Sequence, residues 1–261
     1  MPSLQRLLFL SVLGVLLLTP ACAPTQTPPL AGTPVESALA ENNPTAIPAT
    51  AIQASYGVTF TTPDGATLNG RLYGSGSTAV IFSVMGNCKP GWDEFAQLVA
   101  AQGLLTLTYQ WRGCRSNGSV DETQIQKFVD DLRGAVTFMR EQGATKIILA
   151  GASLGGCASA KLAAGIKADG LIVIASPPVI SQWGFQVEAD DVAVDIPKLF
   201  ITAENDETVD AAATRQLFEL AAEPKQWVTY PGTAHGTDLF ETGQAEAVRE
   251  ALLTFILAIA K

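Results

Sequence analysis

Apolar positions along this chain follow two rhythms, and the rhythm switches repeatedly from residue 56 onward. Val58-Thr59-Phe60-Thr61-Thr62 and Thr67-Leu68-Asn69-Gly70-Arg71-Leu72-Tyr73 flank Pro63-Asp64-Gly65, which predicts two strands joined by a turn. Ala79-Val80-Ile81-Phe82-Ser83-Val84-Met85 is an apolar run without alternation, as expected of a strand covered on both faces of a parallel sheet. Gly91 to Gln102 then spaces Trp92, Phe95, Leu98 and Val99 as a helix would. A strand over Leu104–Tyr109, a long helix over Glu122–Gln142, a strand over Ile147–Ala150 and an Ala-rich helix to about Ile166 follow. Further strands are predicted over Leu171–Ile174, Lys198–Thr202 and Gln226–Tyr230, with helices over Asp210–Ala222 and Gly243–Ala260. Strands alternating with helices require right-handed crossovers. The expected fold class is therefore α/β, a mostly parallel central sheet with helices on both faces, formed by one domain over residues 55–261.

Residues 1–54 lack this pattern. Arg6 precedes an apolar run from Leu7 to Leu18, and Thr19-Pro20-Ala21-Cys22 follows. The run is too short for a hydrocarbon core, which needs roughly 20 residues. A basic start, an apolar middle and a small residue at the boundary predict an export signal over residues 1–21. Leu18-Thr19-Pro20-Ala21-Cys22 resembles a bacterial lipobox, with Pro20 where a small residue is usual, and implies lipidation at Cys22. Residues 22–54 are rich in Pro, Thr, Ala and Asn and predict a flexible tether spanning on the order of 30 Å. The expectation is a cell-envelope lipoprotein, or a secreted protein without the lipid, that touches membrane only through an anchor at Cys22.

Composition narrows the partners. The chain is 48% hydrophobic and 16% charged, as a globular protein with a large core would be. A net charge of -9 argues against nucleic acid as a partner and against a direct attraction to anionic membrane. Of four cysteines, Cys88 and Cys114 each fall in a loop after a predicted strand, and exported proteins keep disulfides, so this pair is the expected bridge. Cys157 lies on the helix after Ser153 and reads as a small buried apolar residue. No metal-ligand spacing joins Cys and His and no Gly-rich phosphate loop occurs, so neither metal nor cofactor is expected. Oligomeric state leaves no mark in the sequence.

The chemistry concentrates in three places. Gly151-Ala152-Ser153-Leu154-Gly155 sits where a strand turns into a helix, the setting of a nucleophile elbow. A serine hydroxyl needs a neighbouring base, and that base needs an orienting third group. His235 is the only histidine of the chain and lies in a loop after the last predicted strand. Asp206 follows the strand Lys198–Thr202 and supplies the acid in the order Ser, acid, His. Glu204, Glu207 and Asp210 compete with it, although helix capping or solvation would explain each of them equally well.

On Gly-Ala-Ser-Leu-Gly, Glu-Asn-Asp-Glu-Thr-Val and Pro-Gly-Thr-Ala-His-Gly, residues 56–260 resemble the α/β-hydrolase superfamily, most closely its dienelactone-hydrolase-like serine hydrolases. The resemblance implies catalytic Ser153, Asp206 and His235, and an acyl-enzyme formed from a small-molecule ester, thioester or lactone. It also implies an oxyanion hole made by the backbone N–H groups of Leu154 and Asn87. Asn87 is placed by Met85-Gly86, where the family often has His-Gly. Tyr109 to Ser116 resembles the family's Asp-x-Arg-Gly-x-Gly-x-Ser stretch, departing at Gln110 and Cys114, and implies a structural role. Many relatives insert a cap domain where this chain has only residues 175–198, so little or no cap and an open site are expected. Trp111, Trp183, Phe185 and Met85 are candidates to line an acyl pocket, and equally candidates for ordinary core. A serine peptidase and a non-catalytic binding lipoprotein on the same scaffold are the other readings.

Overall fold

The computed structural model describes residues 55–117 and 119–261. The expected export signal, the expected tether and Cys22 lie outside the described residues. In chain order the strands are β1 (Ser55–Thr61), β2 (Thr67–Tyr73), β3 (Thr78–Ser83), β4 (Leu105–Tyr109), β5 (Lys146–Ala152), β6 (Gly170–Ile174), β7 (Val179–Ile180), β8 (Phe185–Gln186), β9 (Lys198–Ala203) and β10 (Lys225–Tyr230). The helices are α1 (Asp93–Ala100), α2 (Phe128–Glu141), α3 (Leu154–Ile166), α4 (Ala189–Val192), α5 (Ala211–Leu220) and α6 (Ala245–Ala260). Eight strands form one sheet in the order β1-β2-β4-β3-β5-β6-β9-β10, antiparallel as far as the β2–β4 pair and parallel beyond it. The residue pattern explains the split. Polar and apolar residues alternate in the β1–β2 hairpin, which leaves one side wet, whereas every residue of β3, β4, β6 and β9 is buried.

Strand order also sets the layers. The chain moves one way across the sheet from β3 to β4 and the opposite way from β4 to β5, so right-handed crossovers place α1 on one face and α2 on the other. Helix α3 packs against α2 and against β5 and β6. On the α1 side, Phe82, Trp92, Phe95 and Phe240 form an aromatic cluster with neighbouring ring centroids 5.0–6.3 Å apart. Phe240 belongs to a 3₁₀ turn, Gly236–Glu241, so this cluster anchors the segment that begins just after His235.

Three elements differ from expectation. Val84 and Met85 leave the sheet as loop. The helix expected over Glu122–Gln142 begins as a 3₁₀ turn, Glu122–Lys127, and becomes α only at Phe128. In that first turn only Ile125 is buried, whereas Phe128, Leu132, Ala135, Val136 and Met139 present a continuous stripe to the core. The stretch after β6 holds the small hairpin β7–β8, a 3₁₀ turn at Ser181–Trp183 and the single-turn α4. Such short pieces carry no readable periodicity.

The segment expected to be structural proves so. Arg112 Nε donates to Asp131 at 2.7 Å, its backbone N–H donates to the same carboxylate at 2.7 Å, and its two terminal nitrogens reach Asp64 at 2.7 and 2.8 Å. One guanidinium thereby ties the β1–β2 turn to the loop after β4 and to α2. Hydrogen bonds from Arg112 and Thr62 hold the Asp64 carboxyl well below the usual carboxylate range. The Asp131 side chain has no exposed surface. Arg112→Ala strands that carboxylate, and urea unfolding is expected to show a loss of about 3 kcal/mol.

Candidate active site

Strand β5 ends at Ala152 and α3 begins at Leu154, so a single residue makes the turn. Ser153 adopts φ 53° and ψ −119°, a conformation that costs a side-chain-bearing residue about 1–3 kcal/mol. Its surroundings fix it there. The Ser153 N–H donates to the Ile174 carbonyl at 2.8 Å, and its own carbonyl accepts from Cys157 N–H at 3.0 Å. The buried Ser176 hydroxyl lies 2.9 Å from that same carbonyl. A Cβ on Gly151 would overlap the Gly155 carbonyl, and one on Gly155 would overlap the Ser83 carbonyl. The glycines thus allow the end of β3, the end of β5 and the first turn of α3 to meet backbone to backbone. Leu154, first residue of α3, directs its N–H away from the helix ladder at the positive end of the dipole.

Asp206 follows β9 on a loop stitched to the segment after β10. Glu204 N–H donates to Tyr230 O at 2.9 Å, and Asn205 N–H donates to Gly232 O at 3.0 Å. The Asp206 side chain is fully buried, and its Oδ1 accepts from the N–H groups of Thr208 and Val209, both at 2.9 Å. His235 Nδ1 lies 2.9 Å from Oδ2 and 3.1 Å from Oδ1. A carboxylate only accepts, so Nδ1 donates to Asp206, and Nε2 is the ring nitrogen left for another partner. Of the four carboxylates considered for this loop, Asp206 is the one bonded to His235. Glu204 and Glu207 are exposed, and Asp210 caps α5 by accepting from Ala212 N–H at 2.8 Å. The segments of His235 and Ser153 also touch, because a Cβ on Gly236 would meet the Ala152 Cβ at 3.3 Å.

A cleft of about 430 Å³ opens beside Ser153. One wall is the β7–β8 hairpin with Val179, Ile180 and Trp183; Thr208, Val209 and Asp210 form another, and Gly86, Leu154 and Cys157 contribute to the rest. Among the described residues, no lysine or arginine lines it. Of the aromatic and sulfur side chains weighed for an acyl pocket, only Trp183 reaches this cleft. Phe185 packs on Phe128 at 4.9 Å between ring centroids, Trp111 is buried behind Leu154, and Met85 is buried under the His235 segment beside Thr237. Ser176, Ile180 and Val209 gave no signal in the sequence, since two lie in the aperiodic stretch after β6 and the third is one apolar residue beside an acidic loop.

Asn87 sits in an exposed turn after β3, closed by Cys88 N–H donating to Met85 O at 3.0 Å. Its side-chain oxygen accepts from Lys89 N–H at 3.0 Å, and no acceptor among the described residues takes its own N–H. Cys88 and Cys114 are joined as a disulfide. Cys157 Sγ is buried and donates to Pro177 O at 3.2 Å, and burial pushes its thiol pKa well up.

A larger concavity, about 900 Å³, lies at the other end of the sheet between α6 and the starts of β9 and β10. Its cations are already committed. Lys198 Nζ, whose pKa burial pushes down, donates to the carbonyls of Val194, Ile196 and Ala222, and Lys146 Nζ donates to Ile259 O. Of these two concavities, the smaller one, at the carboxyl ends of the strands, is the one that Ser153 lines.

No family model matches the sequence, and no curated protein does. Solved structures match in fold. The esterase domain of a Rhodothermus marinus protein is 19% identical, with a TM-score of 0.64 over 80% of this chain and 100% of its own. A Pyrococcus furiosus esterase is 15% identical, with a TM-score of 0.64 over 80% of this chain and 94% of its own. An α/β serine hydrolase homologue from Coxiella burnetii is 20% identical, with a TM-score of 0.62 over 78% of this chain and 99% of its own. The chain has the α/β-hydrolase fold, with no cap larger than the β7–β8 hairpin and α4.

The cysteine chemistry is directly countable. Full-length unlipidated protein denatured without reductant is expected to titrate two thiols, Cys22 and Cys157, and all four after reduction. Because burial keeps the Cys157 thiol protonated well above the ordinary range, iodoacetamide at pH 8 is expected to leave it unmodified in the native protein. Peptide mapping after alkylation gives the answer.

Proposed function

We propose that this α/β-hydrolase fold carries a serine hydrolase that cleaves carboxylic esters of small, uncharged acyl groups. The observation that carries the reading is the buried Asp206 carboxylate bonded to His235 Nδ1, with Gly236 seated on Ala152 beside the strained Ser153. In the free protein no hydrogen bond joins the Ser153 hydroxyl to His235, whose ring is bonded to Asp206. In the proposed reaction Ser153 Oγ and His235 Nε2 make that bond in the substrate complex. Nε2 takes the hydroxyl proton as Ser153 Oγ attacks the carbonyl carbon. The N–H groups of Leu154 and Asn87 hold the oxyanion. The imidazolium returns its proton to the departing alkoxide, which leaves as the alcohol. A water deprotonated by the same nitrogen then attacks the acyl-enzyme, releasing the acid and restoring Ser153. Asp206 fixes the tautomer and balances the transient positive charge.

The cleft supports the substrate class. Its walls of Pro177, Ile180, Trp183 and Val209 suit an apolar acyl chain, and with no lining cation nothing balances a carboxylate on the substrate. The esterase neighbours support ester chemistry, and thioesters and lactones fit the same mechanism. A peptidase would need a subsite for a charged terminus or a defined side chain, and the lining supplies none. A binding lipoprotein without turnover would have no use for a strained serine. Export through residues 1–21, and a lipid on Cys22 with residues 22–54 as tether, complete the proposal.

Hydrolysis of p-nitrophenyl esters from C2 to C16 tests it. Turnover is expected to peak at short to medium chains and to vanish in Ser153→Ala. Asp206→Asn should lower kcat roughly 10³-fold or more with little change in KM, because the imidazole loses its orienting partner. Folded protein that hydrolyses no ester, and whose Ser153 escapes a fluorophosphonate probe, would refute the hydrolase.

A further inference from the structure

Residues 84–92 carry Asn87 between β3 and α1 without regular structure; backbone bonds close its turn locally, and side chains tie that turn to the rest of the fold. The two residues that follow Asn87 divide the work. After Asn87 comes Cys88, in the left-handed region at φ 63° and almost fully buried, covalently bound to Cys114 in the loop after β4. Cys114 is itself held, since its N–H donates to Trp111 O at 2.9 Å and it pairs with Val120. It lies two residues beyond Arg112, whose ties to Asp131 and Asp64 anchor that loop. Next comes Lys89, whose ammonium contacts Asp238 at 2.6 Å and Glu241 at 2.9 Å. Both acids lie on the 3₁₀ turn that starts immediately after His235. Trp92 Nε1 closes the loop back onto Ser83 O at 3.0 Å.

We infer that the Cys88–Cys114 bridge and the Lys89 ion pairs are positioning devices for the Asn87 oxyanion donor. The bridge sets that amide relative to the sheet, and Lys89 sets it relative to the segment of His235. The inference rests on the proposed hydrolase mechanism. An oxyanion donor acts only if it stands at about 2.7–3.1 Å from where the negative charge develops, and losing one outright costs roughly 10²–10³ in kcat. A donor on a loosened loop loses part of that. Ground-state binding is little affected, because the hairpin and the Thr208–Asp210 segment form most of the acyl cleft.

Steady-state kinetics of the full chain on p-nitrophenyl butyrate make the test, with circular dichroism confirming a folded protein in each state. A dithiol such as dithiothreitol supplies two electrons and two protons, leaving two protein thiols and its own cyclic disulfide. Reduced wild type and Cys88→Ser/Cys114→Ser are expected to lose about 10-fold in kcat with KM within 2-fold. Reoxidation should restore the wild type, and reductant should not change the double variant further. Lys89→Met is expected to lose several-fold in kcat, with Lys89→Arg retaining it; this arm stands even if the cysteine variant fails to fold. Undiminished kcat in reduced, folded protein overturns the inference, as does a loss that appears only in KM or melting temperature. Oxidised wild type without any turnover overturns the hydrolase mechanism and this inference with it, whereas turnover indifferent to reduction and to Lys89→Met overturns the inference alone.

Discussion

Everything at the site depends on three stretches of backbone meeting with no side chain between them. At the end of β5, Gly151 faces the first turn of α3, and Gly155 in that turn faces the carbonyl at the end of β3. Any Cβ at either position would push the helix off the sheet by the radius of a methyl group. The close approach forces the one-residue turn, and the turn forces Ser153 into its left-handed conformation. The strain is local, while its support is distributed. Ile174, Cys157 and Ser176 each hold one side of the serine peptide, and they come from the neighbouring strand, the helix and the following loop.

Asp206 poses the opposite problem, that of an ion inside the protein. A buried carboxylate is tolerated only when donors replace its lost water. Two backbone N–H groups from its own loop and the imidazole meet that need. The loop is in turn fixed by donating to carbonyls after β10, the strand that leads to His235. Asp206 and His235 are therefore positioned by each other's segments. Phe240, packed on Phe95 and Trp92, keeps the far end of the histidine segment from drifting.

Most of the sheet was legible because buried parallel strands are written as unbroken apolar runs: Ala79–Phe82 and Leu171–Ile174 admit no other reading in an alternating chain. Strand ends were less so. Val84 and Met85 continue the apolar run yet leave the sheet, because their burial comes from the loop packing over Leu154 and Thr237 rather than from strand neighbours. Ser153 and His235 were marked by a motif and by uniqueness. Asp206 stood among four acids, and only the backbone that surrounds it distinguishes it. The residues lining the cleft were the least legible, since a two-residue strand has no period and the exposure of Trp183 to the cleft depends on how the hairpin folds over.

The β7–β8 hairpin has a standing unlike that of any other part of the site. Ser153, Asp206 and His235 each sit at or just beyond the end of a sheet strand, so altering their spacing means altering the core. The hairpin pairs only with itself and contributes a wall but no reacting group. On the proposed reading, chemistry and selectivity are thus borne by separate parts of the chain, one constrained by the whole sheet and the other by a short hairpin. A lineage could exchange the hairpin while inheriting the strand ends and their loops intact.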